Sequence, residues 1–213
     1  ATTQDDVISS LIHMSTHDDL LIFTNKGKVY RLKGYNIPEF GRTAKGLPIV
    51  NILNLDKDES VKSLININKK MIEEDKHWYL FFATEQGLVK RVDISEFENI
   101  RQTGKIVIKL KEDDSLVGVK LTKGDDEILI AASNGKLVRF SEGHVRPMGR
   151  SASGVRGINV DGSKVIGMTT NREGQLIMVV TEKGYGKMSP IDEYRVSNRG
   201  GKGVKTINVT ERN

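Results

Sequence analysis

Basic residues recur at matched positions of this chain, each beside one member of a pair of glycines. Arginine stands four residues after the first glycine at Arg31, Arg91 and Arg139, and in a fourth copy Lys187 lies next to Met188 at that position. Arginine also stands three or four residues before the second glycine, at Arg42, Arg101, Arg150 and Arg199. Cations repeated at regular spacing suit a regular array of phosphates, whose neutralisation releases counterions without any reading of bases. The pattern predicts a binding surface for a nucleic acid.

Positive charge is concentrated between the paired glycines. These four segments contain 16 Lys or Arg and 7 Asp or Glu, whereas the rest of the chain contains 17 and 21. The cations predicted to contact phosphate are Lys28, Arg31, Arg42, Lys45, Arg91, Arg101, Arg139, Arg150, Arg156, Lys187, Arg199 and Lys202. Gly200, Gly201 and Gly203 are predicted to let backbone amides approach phosphate closely. The alternative interpretation is that these cations only keep sheet edges soluble and unpaired.

The glycine pairs define four repeats that must position these cations. The first glycines are Gly27, Gly87, Gly135 and Gly184, and the second are Gly46, Gly104, Gly154 and Gly203. Successive first glycines are 60, 48 and 49 residues apart, and a period near 50 is typical of propellers and similar arrays. We predict one repeat domain over residues 1–213, with approximate blades at 1–57, 58–113, 114–162 and 163–213.

Each repeat is predicted to form four β-strands. A first apolar strand is expected at residues 7–12, 61–67, 116–121 and 165–168. A hairpin follows, with the first glycine in its turn because glycine tolerates positive φ. A fourth strand after the second glycine, at residues 47–53, 105–110, 155–160 and 204–209, is expected to close the unit. β-Branched residues and interrupting Gly or Pro disfavour helix, so residues 69–75 are predicted as a loop insertion.

Several classes of protein are disfavoured by composition. No apolar run approaches the roughly 20 residues of a membrane-spanning helix, and the first residues lack the pattern of a signal peptide. The chain has no cysteine, which excludes disulfides and is compatible with the cytoplasm. Gly41–Gly46 and Gly149–Gly154 have the first spacing of a phosphate-binding loop, but Leu47 and Val155 replace its lysine. We therefore expect no catalytic residue, no cofactor and no metal site.

Three phrases of the sequence carry a family resemblance: FTNKGKVYRLKGY from Phe23, TEKGYGK from Thr181 and SNRGGKG from Ser197. They closely resemble the C-terminal domain of the bacterial DNA gyrase A subunit, and the resemblance extends over the whole chain in register. It implies an all-β, propeller-like β-pinwheel whose blades exchange strands and whose positive perimeter wraps duplex DNA. In that family wrapping supports negative supercoiling, while the ATP site and the DNA-cleaving tyrosine belong to other domains.

The resemblance also implies partners and differences. The partners would be duplex DNA and, in the parent enzyme, the gyrase B subunit and a second gyrase A subunit, in the bacterial cytoplasm at the chromosome and without a membrane. Family members usually have six blades and carry a gyrase box in the first, whereas this chain has about four blades. Its nearest match to the box, from Ser197, lies in the last repeat and has Ser197 and Asn198 where the box has glutamine and arginine. We therefore expect a fragment without the first and last blades.

Two alternative functions remain open on the sequence. The corresponding domain of the topoisomerase IV A subunit could be built from the same repeats with fewer blades. A propeller that scaffolds protein partners is the other alternative, although the marks of the common Trp-Asp repeat are absent.

Overall fold

The fold is built almost entirely from short antiparallel strands. A computed structural model describes residues 11–46, 48–73, 77–101 and 104–207. The strands are β1 (Asp19–Thr24), β2 (Lys28–Lys33), β3 (Val61–Ile67), β4 (Tyr79–Thr84), β5 (Leu88–Asp93), β6 (Lys105–Ile106), β7 (Leu116–Thr122), β8 (Glu127–Ala132), β9 (Lys136–Ser141), β10 (Val155–Arg156), β11 (Val165–Thr170), β12 (Leu176–Val180), β13 (Gly186–Pro190) and β14 (Val204–Lys205). The helices are α1 (Ile49–Leu53), α2 (Lys69–Glu73) and 3₁₀-helices at Gly34–Asn36, Ile94–Phe97, Glu142–His144 and Ile191–Glu193. Within the described ranges, no helix has the length and apolarity needed to cross a membrane.

The four predicted hairpins are present. They join β1 to β2, β4 to β5, β8 to β9 and β12 to β13. Each first glycine lies in the turn with a positive φ, which is +73° at Gly27 and +96° at Gly87. The Gly27 amide donates to the carbonyl oxygen of Thr24 at 3.0 Å, and the other three turns repeat this bond. These bonds and φ values confirm the turn prediction. Such a turn can be predicted from the sequence because it depends only on local backbone chemistry.

The sheets combine strands from different sequence repeats. Three sheets have four strands, in the orders β3-β1-β2-β6, β10-β5-β4-β7 and β11-β8-β9-β14, and the described part of the fourth sheet is the β12-β13 hairpin. The strands after Gly104, Gly154 and Gly203 pair with the hairpin of the preceding repeat, as in the pair of Lys105 with Val29. The prediction that these strands close their own units is therefore wrong. The all-β, propeller-like architecture with exchanged strands is confirmed.

Each sheet has an inner and an outer edge. Strands β3 and β11 both contact β7, and the three strands together line a cavity of about 870 Å³. The opposite edges are formed by the two-residue strands β6, β10 and β14. The segments around Gly104, Gly154 and Gly203 therefore lie at the outer edge of the molecule.

Apolar side chains fill the spaces between neighbouring sheets. Between the first two sheets, Phe23 lies edge-on to Phe82, with ring centroids 5.6 Å apart. Between the second and third sheets, Phe81 and Phe140 approach to 6.2 Å. Aromatic pairs in these geometries stabilise beyond their buried area. The packing fixes each sheet against the next, and hence the spacing of their outer edges.

Two segments predicted as strand or loop are helical. Residues 49–53 form α1, a short helix that satisfies backbone groups locally. Residues 69–73 form α2, and the side chain of Asn68 accepts a hydrogen bond from the Met71 amide at 3.0 Å. Of the first predicted strand, residues 7–10 lie outside the described residues, and residues 11–12 are not in a strand.

Three of the four second glycines mark close crossings between repeats. Gly104 lies on the ring of Tyr30, Gly154 on the backbone of Val89 and Gly203 on the backbone of Leu137. At Gly154 the backbone has φ +99°, and a Cβ atom would collide with the Val89 carbonyl oxygen. Close approach of two chain segments therefore explains the glycine at these three positions, whereas a Cβ at Gly46 would meet nothing within 4 Å.

We expect Gly154→Ala to lower the free energy of unfolding by about 2–4 kcal/mol, because it combines an unfavourable φ with a displaced backbone. Denaturant unfolding of the wild type and the variant measures the loss. Gly174→Ala is the control, since a Cβ there meets nothing within 4 Å. An equal effect at both glycines would contradict the role of the crossing.

Candidate nucleic-acid interface

Each outer-edge strand presents an exposed cation. Lys105 is on β6, Arg156 on β10 and Lys205 on β14, within two residues of the preceding second glycine. None of the three forms an ion pair with another residue of the described ranges. Sequence reasoning found Arg156 and missed the two lysines. Both lysines lie just beyond the segments between the paired glycines, where the predicted cations were sought. Their constant position directly after a second glycine is the signal that could have identified them.

Four other predicted cations are also exposed, three of them in loops and one on a strand. Arg42 and Lys45 follow the first hairpin, Arg101 precedes the second glycine of the second repeat, and Lys187 is on β13. No ion pair joins any of these four to a described side chain. Their charged groups are therefore available to a ligand.

Some predicted cations have surface partners. The Nζ atom of Lys28 lies 3.4 Å from Oδ2 of Asp56, and that of Lys202 lies 3.1 Å from Oδ2 of Asp161. Exposed ion pairs of this kind contribute little to stability, about 0–1 kcal/mol. A phosphate could therefore replace either carboxylate at little energetic cost.

The arginines before the last two second glycines differ in how tightly they are held. Arg150 Nε lies 3.9 Å from a Glu96 carboxylate oxygen, and both residues line a cavity of about 280 Å³ together with Lys105. Arg199 donates to two carbonyl oxygens, those of His144 at 3.1 Å and Arg156 at 3.0 Å. Arg150 thus retains more freedom to meet a ligand than Arg199.

The arginines four residues after the first glycines lie between sheets. Arg31 donates to the Asp19 carboxylate at 2.6 Å and to the Glu98 carbonyl oxygen at 2.7 Å. Arg139 bonds Glu127 and two carbonyl oxygens around the last 3₁₀-helix. Arg91 is buried and pairs with Glu142 at 2.9 Å. All three guanidinium groups are engaged by partners within the protein, which disfavours a contact with phosphate, and that contact stays a prediction.

The Arg91 pair is the most deeply buried of the three. Glu142 is fully buried and accepts hydrogen bonds from Arg91, the Thr122 hydroxyl and the Asp126 amide. Burial raises the pKa of Glu142, while the Arg91 guanidinium acts in the opposite direction. Arg91 also stacks on Tyr79, 4.4 Å from the ring centroid. The arginine therefore stabilises a charge that the interior would otherwise disfavour.

A sequence signal for this structural role exists. The residue twelve positions before each arginine opens the first strand of the hairpin: Asp19, Tyr79 and Glu127. Each supplies a carboxylate or an aromatic face to its arginine. In the fourth repeat both members change together, to Leu176 and Met188. A partner residue at constant spacing from the arginine indicates a structural contact.

The glycines of the last repeat are used within the fold. The Gly200 amide donates to the Gly157 carbonyl oxygen at 2.6 Å, and the Gly201 carbonyl accepts from Asn159 at 2.8 Å. Gly203 lies against the Leu137 backbone. The close approach predicted for these glycines is thus an approach to the preceding repeat, and the Gly200 amide is not free for phosphate.

A buried lysine missed by sequence reasoning holds the loop that carries Arg150. Lys90, on β5, is fully buried and donates to the carbonyl oxygens of Gly149 at 2.9 Å, Arg150 at 2.9 Å and Ala152 at 3.0 Å. Burial lowers the pKa of Lys90 to about 8, with the Glu96 carboxylate acting in the opposite direction. The Lys109 amide donates to the Ala152 carbonyl as well. The loop is therefore fastened to two segments of the preceding repeat, one at Lys90 and one at Lys109.

A family model described as the DNA gyrase C-terminal domain, beta-propeller, matches residues 18–68, 79–123, 126–171 and 175–212. The chain belongs to this family. Each of the first three matched segments of the gyrase C-terminal domain begins at a hairpin and ends at the next inner strand, β3, β7 or β11.

Relatives with similar sequences are gyrase A subunits. The chain is 50% identical to the DNA gyrase A subunit of Staphylococcus epidermidis strain ATCC 12228 and 47% identical to that of Staphylococcus aureus strain MRSA252. Both alignments cover 100% of this chain and 24% of the relative, so the chain spans about a quarter of their length.

Solved structures of the same family share the fold. The C-terminal domain of DNA topoisomerase IV superposes with a TM-score of 0.88 at 30% identity, covering 100% of this chain and 66% of that one. A DNA gyrase A C-terminal domain superposes with a TM-score of 0.71 at 26% identity, covering 90% of this chain and 60% of that one.

Proposed function

We propose that this domain binds and bends duplex DNA around its outer edge, as the C-terminal DNA-wrapping part of a gyrase A subunit. The observation that carries the proposal is the row of exposed cations Lys105, Arg156 and Lys205 on three successive outer-edge strands. Because the sheets are packed in a fixed order around the inner strands, a duplex that follows this edge must curve.

The proposed mechanism is charge neutralisation along a curved path. Each cation that meets a phosphate releases condensed counterions, which gives affinity without base recognition. Bending 20–30 bp smoothly by 40–90° costs of order 1–6 kcal/mol, an amount that several phosphate contacts offset. Arg42, Lys45, Arg101 and Arg150 would extend the contacts beyond the three strands. The domain itself would contribute no catalytic group and need no cofactor.

The role within a larger enzyme follows from the family. Wrapping would present a DNA segment of fixed geometry to the rest of gyrase, in the bacterial cytoplasm, in a complex with the gyrase B subunit and a second gyrase A subunit. The gyrase relatives are 47–50% identical to this chain, whereas the topoisomerase IV domain is 30% identical. These identities favour gyrase, and no observation favours a protein-scaffolding role.

Titration of the chain with duplex DNA at two salt concentrations tests the proposal. We expect affinity to fall on the order of 10³-fold between about 50 and about 200 mM salt, since six or more phosphate contacts would be lost together. Footprints on a long duplex should show protection in phase with the helical repeat. Binding that is indifferent to salt, or confined to one sequence, would contradict phosphate-led wrapping.

A further inference from the structure

Lys90 holds a position in the fold that does not require a lysine. The residue three positions after the first glycine is Tyr30 in the first hairpin, Lys90 in the second and Val138 in the third. All three contact the glycine crossing of the following repeat. Burying an ammonium group is unfavourable, as the lowered pKa of Lys90 reflects. An apolar residue at this place is compatible with the fold, so packing at the crossing does not explain why a lysine is present.

The three carbonyl contacts of Lys90 determine where the opposite sides of those peptides point. The structure has no cis peptide bond among its described residues. In a planar trans peptide the N–H points away from the C=O of the preceding residue. Since the carbonyl oxygens of residues 149, 150 and 152 converge on Lys90 Nζ, the amides of Arg150, Ser151 and Ser153 point away from it. None of these amides donates a hydrogen bond to another described residue.

The loop is therefore polarised. The carbonyl oxygens of residues 149, 150 and 152 face the buried Lys90, while the unbonded amides of residues 150, 151 and 153 face the opposite way. Lys105 lies across the small cavity that Arg150 also lines. Glu96 is the carboxylate nearest the Arg150 guanidinium, and its 3.9 Å separation makes the pair weak. Unbonded amides and adjacent cations are the chemistry that binds phosphate oxygens.

The corresponding loop of the fourth repeat also packs on the preceding repeat, but without a buried lysine. Arg199 occupies the place of Arg150, and the Gly201 carbonyl accepts from Asn159 as the Ala152 carbonyl accepts from Lys109. There Val138 replaces Lys90, and Gly200 supplies a positive φ of +88°. However, the Gly200 amide is bonded to Gly157. Of these two loops, only the one held by the lysine leaves the amide at this position free.

We propose that residues 149–153 form a phosphate-binding loop for the DNA backbone and that Lys90, which cannot reach DNA, is its positioning residue. The proposal rests on the function proposed above. It identifies one contact point on the outer edge at which backbone amides, and not only cationic side chains, hold the duplex. The amides diverge, so they serve neighbouring phosphate oxygens and do not enclose a single anion.

Amide NMR of the ¹⁵N-labelled chain tests the loop directly. Saturating duplex DNA should shift the amide signals of Arg150, Ser151 and Ser153 in the wild type. In Lys90→Met these shifts should be lost and DNA affinity should fall about tenfold, as expected for lost hydrogen bonds to a charged group. The Lys205 amide should still respond to DNA in the variant. Lys90→Val, with the residue of the third hairpin, is a second variant if the methionine packs poorly.

Lys120→Met is the matched control, because it removes the same charge from the inner strand β7. We expect it to bind DNA as the wild type does. Wild-type DNA binding that leaves the three loop amides unshifted would overturn this proposal while leaving the proposed function intact. Equal shifts in Lys90→Met would overturn the positioning role. A wild type that does not bind DNA at low salt would instead refute the proposed function.

Discussion

Arg91→Met is expected to lower the free energy of unfolding by about 3–5 kcal/mol, because it leaves the Glu142 carboxylate buried without its partner. Glu142 is fully buried, and its remaining hydrogen bonds come from a hydroxyl and an amide. Denaturant unfolding at neutral pH measures the loss. The double variant Arg91→Met with Glu142→Gln should recover most of it, since no buried charge remains.

Arg31→Met is the matched control for this effect. Arg31 occupies the same place in the first hairpin, but its partner Asp19 is partly exposed and also lies 3.1 Å from Lys33. Water and Lys33 can therefore compensate the carboxylate, and we expect a loss of about 1 kcal/mol. Equal losses in the two single variants, or no recovery in the double variant, would show that burial of the Glu142 charge does not decide the result.

The second large effect concerns DNA. Replacing Lys105, Arg156 and Lys205 together with glutamine should weaken DNA binding by about 100-fold at low salt and reduce the slope of log K against log salt by about 2.7, or about 0.9 for each phosphate contact. Stability should change little, because the three side chains are exposed and form no ion pair among the described residues. Equilibrium binding over a salt series, together with thermal unfolding, measures both quantities.

A triple variant at the inner edge separates position from net charge. Lys62, Lys120 and Arg172 line the cavity between the inner strands, and their replacement with glutamine removes the same total charge. We expect this variant to retain the wild-type salt slope and nearly its affinity. If both triple variants lose the same affinity, the outer edge has no special role and net charge alone accounts for binding.

The hairpins were predictable and the sheets were not. The turn at Gly27 needs only a positive φ and an amide-to-carbonyl bond within four residues, so its sequence determines it. The pairing of Lys105 with Val29 joins residues far apart in the chain. Nothing in the local pattern of a two-residue strand states which hairpin it will join. The same limit explains why residues 49–53 were mistaken for a strand.

The arginines show how far the pattern of charge could be interpreted. Equal spacing from a glycine places Arg31, Arg91 and Arg139 at the same point of each hairpin, and this was correct. It does not say whether that point faces solvent or the neighbouring sheet. The structure places all three against an adjacent 3₁₀ segment, where they bond carbonyl oxygens or a buried carboxylate. Recurrence alone therefore indicates a repeated role, which here is structural.

The sequence by itself determined that the chain is a β-repeat protein, where its hairpins turn, and that positive charge is concentrated between the paired glycines, because turns and composition are local properties. Only the tertiary structure decided which cations are exposed and which repeat each outer strand joins. Exposure depends on packing between sheets that are distant in sequence, and so does the convergence of three carbonyl oxygens on Lys90. The sequence specifies which side chains are charged, whereas the residues packed around each side chain determine the direction in which its charge points.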